Sequence, residues 1–96
     1  MLIESRWKEE LGQMLQTTFQ QEQLESLVTS LYSQNELNVH YGVIGLRKLA
    51  SKANTKDVER MIEIKAVELL VQMMARANDS YPQICLEAVK AINYLL

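Results

Sequence analysis

Two stretches of the chain carry the same pattern of apolar residues. In each, four apolar residues stand at positions i, i+3, i+4 and i+7, the spacing that puts side chains on one face of an α-helix. The two sets lie 43 positions apart and are Leu24, Leu27, Val28 and Leu31, then Val67, Leu70, Val71 and Met74. Self-similarity of this length is typical of helical-repeat proteins, in which each unit buries its apolar face on a neighbour.

The same periodicity predicts helices on either side of these stretches. A first helix over about residues 3–17 does not fit the repeat, so we expect it to cover the N-terminal end of a stack. The remaining helices are predicted over about residues 21–32, 36–52, 56–64 and 67–77, with a last one after a capping signature at Ser80-Tyr81-Pro82-Gln83. Their predicted inner positions are Val39, Val43, Leu46, Leu49 and Ala50, then Val58, Met61 and Ile62, and finally Ile84, Ala88, Ala91, Ile92 and Leu95.

The predicted helix over residues 36–52 contains Gly42 and Gly45, which lie on nearly the same side of it. Each glycine costs a helix about 1 kcal/mol relative to alanine. Two interpretations are open: another backbone approaches closely at this side, or the helix is mobile.

Composition and charge narrow the class of protein. A chain of 96 residues supports one domain, and 3 glycines with 1 proline are few for an all-β fold of this size. Cys85 is the single cysteine, so no internal disulfide forms and a reducing compartment is favoured. No stretch approaches the ~20 apolar residues of a membrane span. We therefore expect a protein of the cytoplasm or nucleus that does not enter a membrane.

Candidate chemistry is sparse. His40 is the single histidine and has no cysteine near it in sequence, which disfavours a zinc site, and Cys85 is expected to be a small packed residue. The chain lacks a glycine-rich phosphate loop, and its 10 Lys and Arg against 12 Asp and Glu do not form the basic stripe of a nucleic-acid surface. We expect no enzyme, no metal, no cofactor and no nucleic-acid partner.

One family resemblance rests on the order of the helices. The stretch DVERMIEIKAVELLVQMM, followed by QICLEAVKAINYLL, resembles an armadillo repeat: a short first helix, a bend, and two further helices. The upstream LESLVTSLYSQNELNVHYGVIGLRKLAS resembles the second and third helices of the preceding repeat. The resemblance implies an all-α, right-handed armadillo-like solenoid of about one and two-thirds repeats. As one domain, it would comprise a capping helix (1–20), a partial first repeat (21–53) and a second repeat (54–96).

Within that family, the first stretch is most similar to the start of the importin alpha armadillo domain, with RKLAS here in place of a similar RKLLS. That domain holds basic peptides with a Trp, and an Asn four residues later, on successive third helices. The corresponding residues here are Ile44 and Lys48, then Lys90 and Tyr94, and Lys65 stands at the bend glycine. Binding of nuclear-localisation peptides is therefore not carried over.

The resemblance also implies a groove lined by the third helices. The positive charges near it favour an extended or helical segment of a partner protein that carries acidic and apolar residues, as armadillo domains of the beta-catenin type prefer. The residues expected to bind that partner are His40, Ile44, Arg47, Lys48, Gln83, Glu87, Lys90 and Tyr94, unless they are ordinary solvated positions. On this basis we expect a non-enzymatic protein-interaction scaffold, as in a transport or adaptor protein. The alternative is a self-assembly module whose oligomer interface is the apolar end at Ile92, Leu95 and Leu96.

Overall fold

A computed structural model describes residues 12–13, 16–77 and 81–96, and all regular secondary structure in these ranges is helical. A 3₁₀ turn, Gln21–Gln23, precedes five helices: α1 (Leu24–Ser30), α2 (Glu36–Ser51), α3 (Thr55–Glu63), α4 (Ala66–Ala77) and α5 (Pro82–Leu95). The prediction of five helices from residue 21 onward is confirmed. The helix predicted over residues 3–17 and the capping residue Ser80 lie largely outside the described residues, although residues 12, 13 and 16 are helical.

Two asparagines fix where helices begin. The Asn35 side chain accepts a hydrogen bond from the Leu37 amide at 2.9 Å and so caps α2. Asn54 caps α3 in a capping box, in which its side chain accepts from the Asp57 amide and the Asp57 carboxylate accepts from the Asn54 amide. Each cap satisfies a backbone donor that the first helical turn leaves open. Helix α5 begins with a proline, whose missing amide hydrogen costs nothing at that position.

Helix α2 lies at the centre of the fold. It packs against both α1 and α5, and α5 also packs against α4. Nine of its sixteen residues are buried, among them the five predicted inner positions. In the other helices, Met61, Ile84, Ala88, Ala91 and Leu95 are buried as predicted. Ile62 was predicted to face inward and is 47% exposed, because the buried face of α3 is narrow and Met61 occupies it.

The two glycines of α2 mark a close approach between helices. A Cβ atom at Gly42 would lie 2.7 Å from the backbone oxygen of Leu27, and one at Gly45 would lie 2.6 Å from a Leu27 methyl group. Of the two interpretations, close approach is the correct one: α1 lies against α2 at a separation that only glycine permits.

A single non-glycine residue of the described chain has a positive φ angle, and it forms the bend between α3 and α4. Lys65 has φ of 65°, the left-handed conformation that glycine adopts most easily. Its amide donates to the Ile62 carbonyl at 3.0 Å and closes the end of α3, and its own carbonyl accepts from the Leu69 amide at the start of α4. The bend therefore has the geometry that a glycine would give, at the position where the armadillo resemblance places one.

Candidate functional site

Four of the eight residues expected to bind a partner meet at the contact between α2 and α5. The Arg47 Nε donates to the Glu87 Oε1 at 2.8 Å, and the Glu87 side chain is 2% exposed while that of Arg47 is 22% exposed. The Gln83 amide donates to the other carboxylate oxygen at 3.3 Å, and the Lys90 ammonium lies 3.8 Å from it. The cluster fixes α5 on α2 through a buried ion pair, so Glu87 does not face a partner in this structure.

His40 and Ile44, also expected in the groove, are buried in the core with 1% and 0% exposure. The His40 ring packs edge-on against Tyr81, with 4.6 Å between ring centroids. Its Nε2 lies 3.6 Å from a Glu36 carboxylate oxygen, and the other oxygen of that carboxylate accepts from Arg76 of α4 at 2.7 Å. These side chains connect the start of α2 with α4 and with the residue before α5.

Burial lowers the pKa of His40 from 6.5 to about 4, with Glu36 opposing the shift and Arg76 adding to it. At pH values between about 4 and 6.5, His40 is more often protonated in the unfolded chain than in the folded one, so acidification favours unfolding. We expect the free energy of unfolding to fall by about 1–3 kcal/mol through His40 as the pH drops from about 7 to about 4. Urea unfolding at several pH values measures this fall in the free energy of unfolding.

Comparison with the variant His40→Gln isolates this contribution. The variant keeps every carboxylate of the chain, so the difference in pH dependence between the two proteins comes from His40. The variant should be less stable at neutral pH and should have a shallower dependence of stability on pH. If the free energy of unfolding depended equally on pH in the two proteins, the pKa of His40 would not differ between the folded and unfolded states as described.

Lys48 is engaged within the chain. Its ammonium donates to the Thr17 carbonyl at 2.6 Å and lies 6.0 Å from the centroid of the Phe19 ring. The Lys52 ammonium donates to the Phe19 carbonyl. Burial lowers the pKa of Lys48, the Arg47 charge lowers it further, and Glu87 opposes both. Both lysines thus hold the segment that carries the buried Phe19 against the end of α2.

The remaining expected groove residues are more open. Tyr94 is 52% exposed and the Lys90 side chain 49%, while Gln83 is half-buried. The structure therefore does not present the eight residues as one exposed row; it offers a short polar strip on α5 beside Arg47. Of the three residues of the expected oligomer interface, Leu95 is 4% exposed and packs in the core, Ile92 is half-buried, and Leu96 is exposed.

A second surface on α5 was not singled out from the sequence. Leu86 and Val89 are 48% and 36% exposed, Ile92 is half-buried, and Val71 of α4 is 50% exposed. Helices α4 and α5 are in contact, and the Cys85 thiol of α5 donates to the Met74 carbonyl of α4 at 3.5 Å. Val71 lies one turn from Met74 and Val89 one turn from Cys85, so Val71 and Val89 lie at the same height along the two helices. We call Val71, Leu86, Val89 and Ile92 the apolar face. The signal for it was the three-residue spacing of Leu86, Val89 and Ile92.

Residues that the repeated sequence pattern relates to each other are buried to different degrees. A shift of 46 positions, the one that relates Ile44 to Lys90, also relates Val43 to Val89 and Leu46 to Ile92. Val43 and Leu46 are completely buried, whereas Val89 is 36% exposed and Ile92 half-buried. On the preceding helices, Val28 is half-buried and its counterpart Val71 is 50% exposed. The apolar positions compared are thus more exposed on α4 and α5 than on α1 and α2.

An open cleft of about 370 Å³ lies between the start of α1 and α3. Across it, Arg60 donates to the Glu25 carboxylate at 2.7 Å. Its lining residues are Gln21, Glu22, Leu24, Glu25, Asp57 and Arg60. In the described ranges, no group of three or more His, Cys, Asp or Glu side chains is placed to hold a metal ion. Within the same ranges, no helix has both the length and the apolarity to cross a membrane.

Comparison with known proteins gives no match to this chain, whether with protein-family profiles, with curated proteins or with solved structures. Over the residues that it describes, the structure is all-helical.

Proposed function

We propose that this chain is a non-enzymatic protein-interaction module that binds a partner protein through the apolar face. One observation carries the proposal: of the six exposed residues of α5, Lys90 alone is charged. The exposed side of a solvated helix is ordinarily rich in charge, as α3 is here with Lys56, Glu59 and Arg60. A contiguous apolar surface with a polar edge is typical of a protein-binding site.

The proposal includes an armadillo-like arrangement of the helices. Its support is the order of a short helix, a left-handed bend at Lys65, a second helix and a long third helix, together with unequal burial of equivalent residues in the two units. Within such an arrangement the module belongs to a scaffold or adaptor of the cytoplasm or nucleus, where the thiol of Cys85 stays reduced.

The groove on the third helices is a second candidate binding surface. The exposure of Lys90 and Tyr94 beside Arg47 favours it, since this strip would accept an acidic or apolar segment. Burial of His40, Ile44 and Glu87 weighs against it, because these residues cannot contact a peptide without a rearrangement of the core.

A selection of peptides distinguishes the two surfaces. A phage-displayed library of random peptides is panned against the intact chain, and the enriched peptides are tested against variants. We expect Leu86→Lys and Val89→Lys each to lower the affinity of these peptides by about tenfold or more, since a charge would replace an apolar contact that the bound peptide buries. Lys90→Glu with Tyr94→Ala should change their binding by less than about threefold.

Ile62→Lys is the matched control, because Ile62 is equally exposed and apolar but lies on α3. Binding that is lost with the Lys90 and Tyr94 changes and kept with Val89→Lys would assign function to the groove. If no peptide is enriched, or if Ile62→Lys weakens binding as much as Val89→Lys, the proposal is wrong.

A further inference from the structure

A short segment before α1 is held on α2 by one buried side chain. Residues 17–20, which we call the strap, have no regular secondary structure, and in the strap Phe19 is completely buried while the other three residues are exposed. The Phe19 ring packs edge-on against Tyr41, with 5.2 Å between ring centroids. It also lies beside Gly45, where a Cβ atom would approach it to 3.1 Å. The absence of a side chain at Gly45 thus leaves room on α2 for an aromatic ring.

Two lysines at the end of α2 hold the backbone of the strap. Lys48, in the last turn of α2, donates to the Thr17 carbonyl, and Lys52, directly after α2, donates to the Phe19 carbonyl. Every peptide has backbone carbonyls, so these two bonds do not depend on the sequence of the strap. Phe19 is therefore the side chain by which this surface recognises the strap.

Positive charge accumulates where the strap lies. Arg47, Lys48 and Lys52 fall within six residues, and the nearby carboxylate of Glu87 accepts from Arg47 at 2.8 Å. Burial lowers the pKa of Lys48, the charges of Arg47 and Lys52 lower it further, and Glu87 opposes them. The strap has the sequence Thr-Thr-Phe-Gln and brings no carboxylate to the lysines. A segment with carboxylates beside an aromatic residue would complement this charge.

We propose that the surface formed by Tyr41, Gly45, Lys48 and Lys52 is a second binding site, which the strap closes. Its ligand is an acidic segment of a partner protein that carries an aromatic residue and displaces the strap. The partner's aromatic ring takes the place of Phe19, and its carboxylates pair with the two lysines. The site includes no residue of the apolar face, so the inference goes beyond the proposed function and does not depend on it.

The strap is a strong competitor because it belongs to the same chain. A tethered segment acts at an effective concentration in the millimolar range. A partner segment that offers an aromatic ring alone therefore binds poorly, and one that adds ion pairs with Lys48 and Lys52 gains an advantage that the strap lacks. The site thus selects acidic segments.

The probe is a synthetic peptide with the sequence of residues 16–21, in which Thr18→Glu and Gln20→Glu place a carboxylate on each side of the phenylalanine. The intact, isotope-labelled chain is titrated with this acidic peptide and followed by NMR. We expect the amide signals of residues 17–20 to move to the positions of an unstructured segment, while those of Leu86 and Val89 stay in place. The peptide without the two glutamates should bind about fivefold more weakly, since exposed ion pairs contribute modestly. The acidic peptide with Phe19→Ala should not bind.

Matched variants of the chain locate the site. Both peptides compete with the same strap, so the ratio of their affinities reports the charges around it. Lys48→Gln and Lys52→Gln should each lower this ratio by about half or more, whereas Lys56→Gln, which changes an exposed lysine of α3, should leave it unchanged.

The variant Phe19→Ala tests whether the strap closes the site. Loss of its anchor should raise the affinity for the acidic peptide by about tenfold or more, because the competitor is removed. Circular dichroism confirms that each variant is folded, and the titration of the unchanged chain decides the matter if Phe19→Ala unfolds.

Three results would overturn the inference. One is binding of the acidic peptide without any change in the signals of residues 17–20, since the strap would then not close the site. Another is a preference for the acidic peptide that survives both Lys48→Gln and Lys52→Gln. The third is an acidic peptide that does not bind the unchanged chain at millimolar concentration.

Discussion

Replacing Gly42 by alanine is expected to destabilise the fold by about 2 kcal/mol, although alanine favours helices by about 1 kcal/mol over glycine. The new Cβ would lie 2.7 Å from the Leu27 backbone oxygen and 2.9 Å from a Leu31 methyl group. A backbone oxygen inside a helix cannot move alone, so α1 must shift away from α2. Urea unfolding followed by circular dichroism measures the change.

Gly45→Ala is the matched control, because it adds the same methyl group to the same helix. Its closest contacts are the ends of the Leu27 side chain, at 2.6 and 2.8 Å, which can turn aside more easily than backbone. We expect a smaller loss of stability, about half that of Gly42→Ala, part of which Leu27→Val should recover. If Gly42→Ala were as stable as the parent chain, α1 and α2 would not approach as closely as described.

The second large effect is expected at the ion pair that holds α5 on α2. Arg47→Met should destabilise the fold by about 2–3 kcal/mol, since it leaves the Glu87 carboxylate buried with a half-exposed lysine and an amide as its neighbours. Glu87→Met should cost less, because the Arg47 side chain is 22% exposed and its guanidinium can turn to water. Thermal and urea unfolding of both variants measures this asymmetry.

The double variant Arg47→Met with Glu87→Met tests whether charge is the cause. Removal of both partners leaves neither charge buried, so the double variant should be more stable than Arg47→Met alone. Additive losses in the double variant would mean that the two side chains act through packing rather than through their charges.

The sequence predicted the helices well because apolar spacing alone marks the buried faces of α1, α2 and α5. The caps at residues 35 and 54 are findings of the structure that agree with the predicted boundaries. The spacing does not show whether a neighbour covers a given face. Val28 and Val71 have the same place in the repeated pattern, yet Val28 is half-buried and Val71 is 50% exposed.

The candidate site was harder to predict for a related reason. Helical spacing places Arg47 on one side of α2 and Glu87 on one side of α5, but it does not decide whether these sides meet each other or line an open groove. The two residues are 40 positions apart and form a buried pair. Likewise, the shared spacing of Leu86 and Val89 predicts a helix face but cannot distinguish core from exposed surface. Tertiary packing makes that distinction.

The bend at Lys65 shows that a residue other than glycine can occupy a left-handed turn between two packed helices. A lysine in the left-handed conformation costs about 1 kcal/mol, which is small beside the packing of the helices on either side. The packing of the neighbouring helices therefore holds the bend. The path of the chain at this turn depends on those helices more than on the identity of residue 65, so a search for the turn by a glycine signature would miss it.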